Sequence, residues 1–351
     1  MKRHSCDSCG SAVYVENGEC LHCGARLAYF RPRGALVTVD AAGEYRDGAG
    51  TPWFPCARAG LAACTWLAAK RGGECFSCGL TRTRPNDNDA NGLTQFVKAE
   101  RSKRQLVAEL DALGLPIVPR SEDPDGGLAF DLLSSAHEHV VTGHADGVIT
   151  INLAESNDGY RERMRNELDE PYRTLLGHFR HEVGHYFETV LVFADRDTTA
   201  AARRLFGDDT EDYQAAIDRH YSEGAPKDWN ERFISRYATM HPYEDFAETF
   251  AHYLHISDTL DTAREYGLIS GADGRSFRET VDTEWLPLAI ALNQINRSMG
   301  EEDLYPFVLS PAVMEKLEFI GGVLRGRLPV RASGRVLPGG DRALAAGRSR
   351  A

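Results

Sequence analysis

The chain has 351 residues, 42% of them hydrophobic and 26% charged, which fits one substantial globular core accompanied by one or two small modules. No stretch approaches the ~20 consecutive apolar residues that a membrane-crossing helix needs, and the polar start after Met1 lacks the apolar core of a secretory signal, so a cytoplasmic location is expected. The net charge of -12 disfavours general nucleic-acid binding; it is uneven, because residues 325–351 carry seven Arg against one Asp, leaving about -18 on the rest.

All eight cysteines lie between positions 6 and 78. That clustering argues for metal binding in a reducing compartment rather than a disulfide framework. Cys6, Cys9, Cys20 and Cys23 form two CxxCG knuckles, and the stretch between them reads as a short hairpin around Asn17 and Gly18. Each CxxC turn points two thiolates to one side and the following Gly lets the backbone fold beneath them, so residues 1–30 read as a zinc ribbon. Cys56, Cys64, Cys75 and Cys78 form a second quartet with one knuckle opened to seven intervening residues, and residues 50–85 read as a second four-cysteine zinc module.

From 92 to 113, Phe96, Val97, Leu106, Leu110 and Leu113 make an apolar stripe that predicts a helix opening the main domain, residues 90–325. Residues 128–133, 139–142 and 148–153 read as strands, the last two joined through the turn-forming run 143–147. Leu176, Phe179, Val183, Phe187 and Val190 recur at spacings of three and four and predict a helix over 171–192. A further helix is expected from Pro242, and another from Pro287 through Asn293 and Asn296 to a stop at Gly300. The Arg-rich tail, residues 326–351, is expected to be disordered.

The helix over 171–192 carries His181, Glu182 and His185 in the pattern HExxH. Two His at i and i+4 share one helical face and can clasp one zinc ion, with Glu182 beside them. Zinc brings a bound water's pKa towards ~7, and Glu182 is expected to act as general base, then as proton donor to a leaving amine. A third ligand is required. The metzincin spacing would place Gly at 188 and His at 191, where this chain has Glu188 and Leu191.

The remaining candidates lie on the helix from Pro242. Glu244, Glu248 and His252 form one stripe at i, i+4 and i+8, while Phe246, Phe250 and Leu254 form another that would face the core. An ExxxE pair invites a division of labour in which Glu244 binds zinc and Glu248 accepts the N–H of a ligating His. The exchanged assignment, and His252 as third ligand, stay open. Tyr237 is the first candidate for an oxyanion donor, with Tyr243, His241 and His252 behind it. His178 reads as a helix neighbour and His255 as a structural hydrogen-bonding group.

These residues resemble a bacterial family of zinc-binding metallopeptidases with an N-terminal zinc ribbon. The resemblance runs through the CxxCG pairs, residues 56–67, 75–85 and 172–186, and then 241–255, 296–300 and 303–307. The two helices are also similar to the gluzincin arrangement of the anthrax lethal factor type, in which a Tyr precedes an ExxxE pair whose first Glu ligates zinc; Tyr237, Glu244 and Glu248 match that spacing. The resemblance implies an α+β fold, a mainly helical zincin-like domain with a small sheet preceded by two four-cysteine modules. It also implies one catalytic and two structural zinc ions and hydrolysis of a peptide or protein substrate.

Two other readings stay open: an inactive scaffold metalloprotein whose ribbons recruit a protein partner, and a metal hydrolase acting on something other than peptides. Against the scaffold stands Glu182, since a structural zinc site has no use for a base. Residues 1–85 hold eleven Lys and Arg against seven Asp and Glu; two four-thiolate zinc sites, each adding about -2, bring the region near neutral, so no nucleic-acid partner is expected. No membrane partner is expected either.

Overall fold

The structure, a computed structural model, describes residues 3–136, 140–157, 159–161, 174–271 and 274–326. Short strands frame the cysteine knuckles: β1 (His4–Ser5) pairs with β2 (Ala12–Val13), and β3 (Leu27–Phe30) with β4 (Ala35–Thr38), both antiparallel. Next comes a three-stranded sheet of β5 (Tyr45–Arg46), β6 (Pro52–Pro55) and β7 (Leu67–Ala68). The last knuckle is a single turn, α1 (Phe76–Gly79), whose cap is the Cys75 sulfur accepting from the Cys78 amide.

Directly after it, β8 (Thr81–Thr83) enters a four-stranded sheet of order β10-β11-β9-β8, with β9 (Ala129–Leu133), β10 (Gly143–Ala145) and β11 (Val148–Asn152). The second cysteine quartet is therefore continuous with the sheet of the main fold. β8, β9 and β11 run parallel and β10 antiparallel at the edge. The strand expected over 139–142 is corrected to Gly143–Ala145, while residues 137–139 lie outside the described ones. The reason is the turn: Asp146 (φ 48°) and Gly147 (φ 79°) take the left-handed values of a two-residue hairpin, so Ala145 pairs Val148 and no longer loop is needed.

Helix α2 (Ala90–Ala112) starts at an Asp89 cap, and α3 (Leu175–Phe187) at a Thr174 cap, each side chain accepting a free amide of the first turn. α3 runs on into a π-helical turn over Glu188–Val192. The sequence places its start at 171; residues 171–173 lie outside the described ones, and Thr174, extended at φ -119° and ψ 153°, corrects the start of the described helix to Leu175. Helices α4 (Arg196–Phe206) and α5 (Tyr213–Glu223) lead to α6 (Pro242–Glu265), with Pro242 in its first turn, and α7 (Leu286–Ser298) and α8 (Pro311–Leu324) complete the chain described. The tail 327–351 also lies outside the described residues.

One hydrophobic core runs through these parts. It joins Tyr29 and Trp66 of the cysteine-rich region to Phe96 and Leu106 of α2, Phe130 of the sheet, Phe179 and Val183 of α3, Phe246 and Phe250 of α6, and Leu317 of α8. Polar bolts reinforce it. Arg104 of α2, 1% exposed, donates to the carbonyls of Ala62 (3.2 Å) and Ala63 (3.3 Å) and to Glu16 Oε2 (3.3 Å), so one guanidinium ties both cysteine-bearing segments to α2. Beside it, buried Lys103 meets Thr81 Oγ1 and Glu100 Oε1 (2.8 Å), and the Cys78 sulfur lies 3.8 Å from Glu100 Oε2. Among the described residues no helix is long and apolar enough to cross a membrane.

Candidate metal centre

The centre is built where α3 crosses α6. Their close approach depends on Gly184, within HExxH: a Cβ there would stand 3.1 Å from Ala247 Cα and 3.2 Å from Phe250 Cβ. Glycine in a helix costs about 0.5–1 kcal/mol relative to alanine, and here it lets the second helix bring its carboxylates onto the histidines.

Across that contact, Glu244 Oε2 lies 3.0 Å from His181 Nε2 and 3.6 Å from His185 Nε2. The donor atoms of the three residues all lie within 4.8 Å of one another, and all three residues are buried. Glu248, one turn along α6, accepts at Oε1 from His181 Nδ1 (2.8 Å) and at Oε2 from the Ser235 hydroxyl (2.7 Å). With its Nδ1 proton committed to Glu248, His181 turns Nε2 towards Glu244 and His185, the orientation a metal-ligating imidazole takes. The set fits a zinc ion: two imidazoles and a carboxylate, buried and convergent, are the donors such a centre uses.

The electrostatics favour a cation at the same point. Burial works against charge on His181, yet its hydrogen bonds to Glu244 and Glu248 hold its pKa well above the ordinary value. Burial likewise opposes ionisation of Glu244, but His185 and His181 hold it well below the usual carboxylate range; burial opposes Glu248 too, but His181, His252 and the Ser235 hydroxyl together bring it down to about 2. Glu182 differs. Burial raises its pKa, only partly opposed by His181 and His185, and its Oε2 is buried without a hydrogen-bond partner.

Tyr237 stands beside the centre with its ring centroid 5.8 Å from that of His181, its pKa held well above the ordinary value by burial and by Glu244. Tyr243 stacks on His185 at 3.8 Å and its hydroxyl meets His144 Nδ1 at 3.2 Å. The other sequence candidates point elsewhere. His241 caps α6, accepting from the Tyr243 amide; His252 meets the Tyr305 hydroxyl at 2.9 Å; His255 stacks on Tyr305; and His178 faces Glu155 at 3.6 Å. Three contacts escape a reading of the sequence: Ser235 on Glu248, His144 on Tyr243, and Tyr213, whose hydroxyl donates to Glu244 Oε1 at 2.7 Å. Tyr213 lies 31 positions from Glu244, and only the path of the chain brings them together.

The eight cysteines form two further clusters, Cys6, Cys9, Cys20 and Cys23, and Cys56, Cys64, Cys75 and Cys78, each with its sulfurs within 4.8 Å of one another. The first is half open to solvent at Cys9 and Cys23, whereas all four cysteines of the second are buried. Amides of Arg58 and Cys75 point at the Cys56 sulfur, at 3.4 and 3.2 Å, as backbone donors do around zinc-bound thiolates.

Comparison with known proteins agrees with this anatomy. A family model described as "Putative zinc-binding metallo-peptidase" matches residues 92–323, and a zinc-ribbon domain model matches residues 3–89, spanning both cysteine quartets. An uncharacterized protein of Mycobacterium tuberculosis and another of Mycobacterium bovis are each 50% identical to the chain over 333 residues, covering 92% of it and 95% of the relative. No solved structure matches.

Proposed function

The chain belongs to this zinc-binding metallo-peptidase family, and from that premise we propose that it hydrolyses peptide bonds in a peptide or protein substrate at His181, His185 and Glu244. The observation that carries the reading is Glu182: a buried carboxylate with an unpartnered oxygen, one residue along α3 from a donor of the cluster. A zinc ion held by the three donors would supply a Lewis acid for the scissile carbonyl and lower the pKa of the attacking water.

Glu182 Oε2 accepts that water's proton and returns it to the leaving amine nitrogen. Its raised pKa, caused first by burial, brings proton uptake and release closer to neutrality. Glu248 keeps His181 in one tautomer and one orientation. Tyr237 takes the oxyanion contact in this scheme. Substrate placement follows from the sheet: β10 is one of its two edge strands, and His144 within it stacks on His185 at 6.3 Å, so an extended peptide pairing with β10 would run beside the centre.

The test is zinc content and turnover in the wild type and in Glu182→Gln, assayed on a mixed peptide library. Three zinc ions per chain are expected in both, one for each cluster, with cleavage reduced by a factor of about 100 to 10,000 in the variant. Equal turnover by the two proteins removes Glu182 from the reaction. Only two zinc ions in the wild type, with no turnover, removes the catalytic centre and favours the scaffold reading.

A further inference from the structure

We propose that Tyr213 is a positioning residue for the metal centre: its hydroxyl occupies the second oxygen of Glu244 and so confines that carboxylate to ligation through one oxygen. The inference rests on reading His181, His185 and Glu244 as one metal centre and extends that centre to a helix which contributes no ligand.

The two oxygens of Glu244 have separate partners. Oε2 faces the two imidazoles, and Oε1 accepts the Tyr213 hydroxyl at 2.7 Å. A buried carboxylate with both oxygens free can chelate a cation with both. Glu244 is 2% exposed, so water does not compete for Oε1, and a phenol, un-ionised at neutral pH, is a lasting neutral donor to it. With one oxygen so engaged, Glu244 spends one coordination position instead of two. A hydrolytic zinc site needs the position thus saved for water and substrate.

The helix that carries Tyr213 is arranged around this contact. Within α5 only Ala216 is buried, while Tyr213 and Tyr221 are 40% and 64% exposed. Apolar packing therefore fixes this helix weakly, and its polar ties converge on one stretch of chain. The Glu211 carbonyl, just ahead of α5, lies 3.2 Å from His241 Nε2; His220 Nδ1 meets Thr239 Oγ1 at 3.3 Å; and Tyr213 reaches Glu244. Thr239 and His241 lead directly into the first turn of α6, where Glu244 sits. The Tyr213 ring packs edge-on to His241 at 5.2 Å, which aims the hydroxyl inwards although the ring is half open to solvent.

The experiment uses the full chain with zinc in all three clusters, comparing wild type, Tyr213→Phe, and Tyr221→Phe as a control on the same helix. Chelator titration reads the affinity of the third zinc. Cobalt(II), placed in that site after selective removal of its zinc, reports coordination number through its visible absorption. We expect Tyr213→Phe to bind the third metal about 10- to 100-fold more weakly and to show the weaker visible absorption of a higher coordination number. Tyr221→Phe should match the wild type, and circular dichroism should be the same for all three. Unchanged third-site affinity with an unshifted cobalt spectrum in Tyr213→Phe overturns the role of Tyr213 while leaving the metal centre standing. Loss of fold in that variant overturns it too, because a half-exposed phenol with a ligand-holding role is dispensable to the core. A wild type that binds only two metals overturns the centre itself, and this inference with it.

Discussion

Arg180 and His181 are neighbours on α3 with opposite roles. His181 turns to the carboxylates of α6, while Arg180, 3% exposed, forks onto Glu109 of α2 at 3.0 and 3.1 Å and reaches Asp258 of α6 at 3.0 Å. Two carboxylates thus share one buried guanidinium. Burial pushes Glu109 up to about 7; Arg180 pulls it down, and Asp258 adds to the rise. The folded state therefore holds a proton on Glu109 that the unfolded chain, with a carboxyl near 4.5, releases. Stability from this group is full below about pH 4.5 and declines as pH rises towards 7. Glu109→Gln should match the wild type in urea unfolding near pH 5 and gain on it by pH 7.5. If the two proteins lose stability in parallel over that range, Glu109 does not carry the proton. At this scale the sequence was legible where chemistry is local, as in HExxH and ExxxE; Tyr213 and Ser235 were not, because their partners are brought to them by tertiary folding.

Among the elements, the crossing of α3 and α6 decides whether the centre exists. Gly184 sets its depth, since any Cβ there meets the Ala247 backbone and Phe250 Cβ within 3.1–3.3 Å. Gly184→Val should cost about 1–3 kcal/mol through overpacking and move Glu244 away from His181 and His185. Zinc analysis beside urea unfolding checks this: we expect the third zinc to be lost while the two cysteine-bound ions stay. Retention of all three with unchanged stability would mean that the helices can part without disturbing the ligands. The helices legible in the sequence, α2, α3, α6 and α7, carry an apolar stripe or a proline in the first turn; α8, which also opens on a proline, Pro311, is not among them. α5 has no stripe, because only Ala216 is buried. β1 to β8 span two to four residues each, too short for alternation to show, and their pairing follows from how the cysteine knuckles fold the backbone. β10 lay later than expected because Asp146 and Gly147 complete the reversal alone.

Across the whole molecule, the cysteine-rich region and the helical fold share one core, although the sequence divides them into modules at 1–30, 50–85 and 90–325. Charge binds them as well as packing. A zinc ion held by four thiolates leaves a site about -2 in charge, and burial of such a site needs cations at hand. Lys103 and Arg104, both of α2 and both buried, stand beside the second quartet; burial opposes the charge of Arg104, and Cys64, Glu16, Glu100 and Cys78 together more than offset it. Stripping zinc from that quartet would protonate or scatter its thiols and leave Lys103 to Glu100 and Arg104 to Glu16, in a helix that also holds Arg180 through Glu109. The metal of the cysteine region should therefore stabilise the helical fold from a distance. Scanning calorimetry of the zinc-loaded chain should show one transition, and a chelator strong enough to empty the cysteine clusters should lower it as a whole. Arg104→Met, which removes the donor shared by Glu16 and the Ala62 and Ala63 carbonyls, should cost about 3–5 kcal/mol and broaden or split that transition. Two separate transitions in the wild type, or residues 92–323 melting alone at the temperature of the intact chain, would show instead that the ribbons ride on the fold without supporting it.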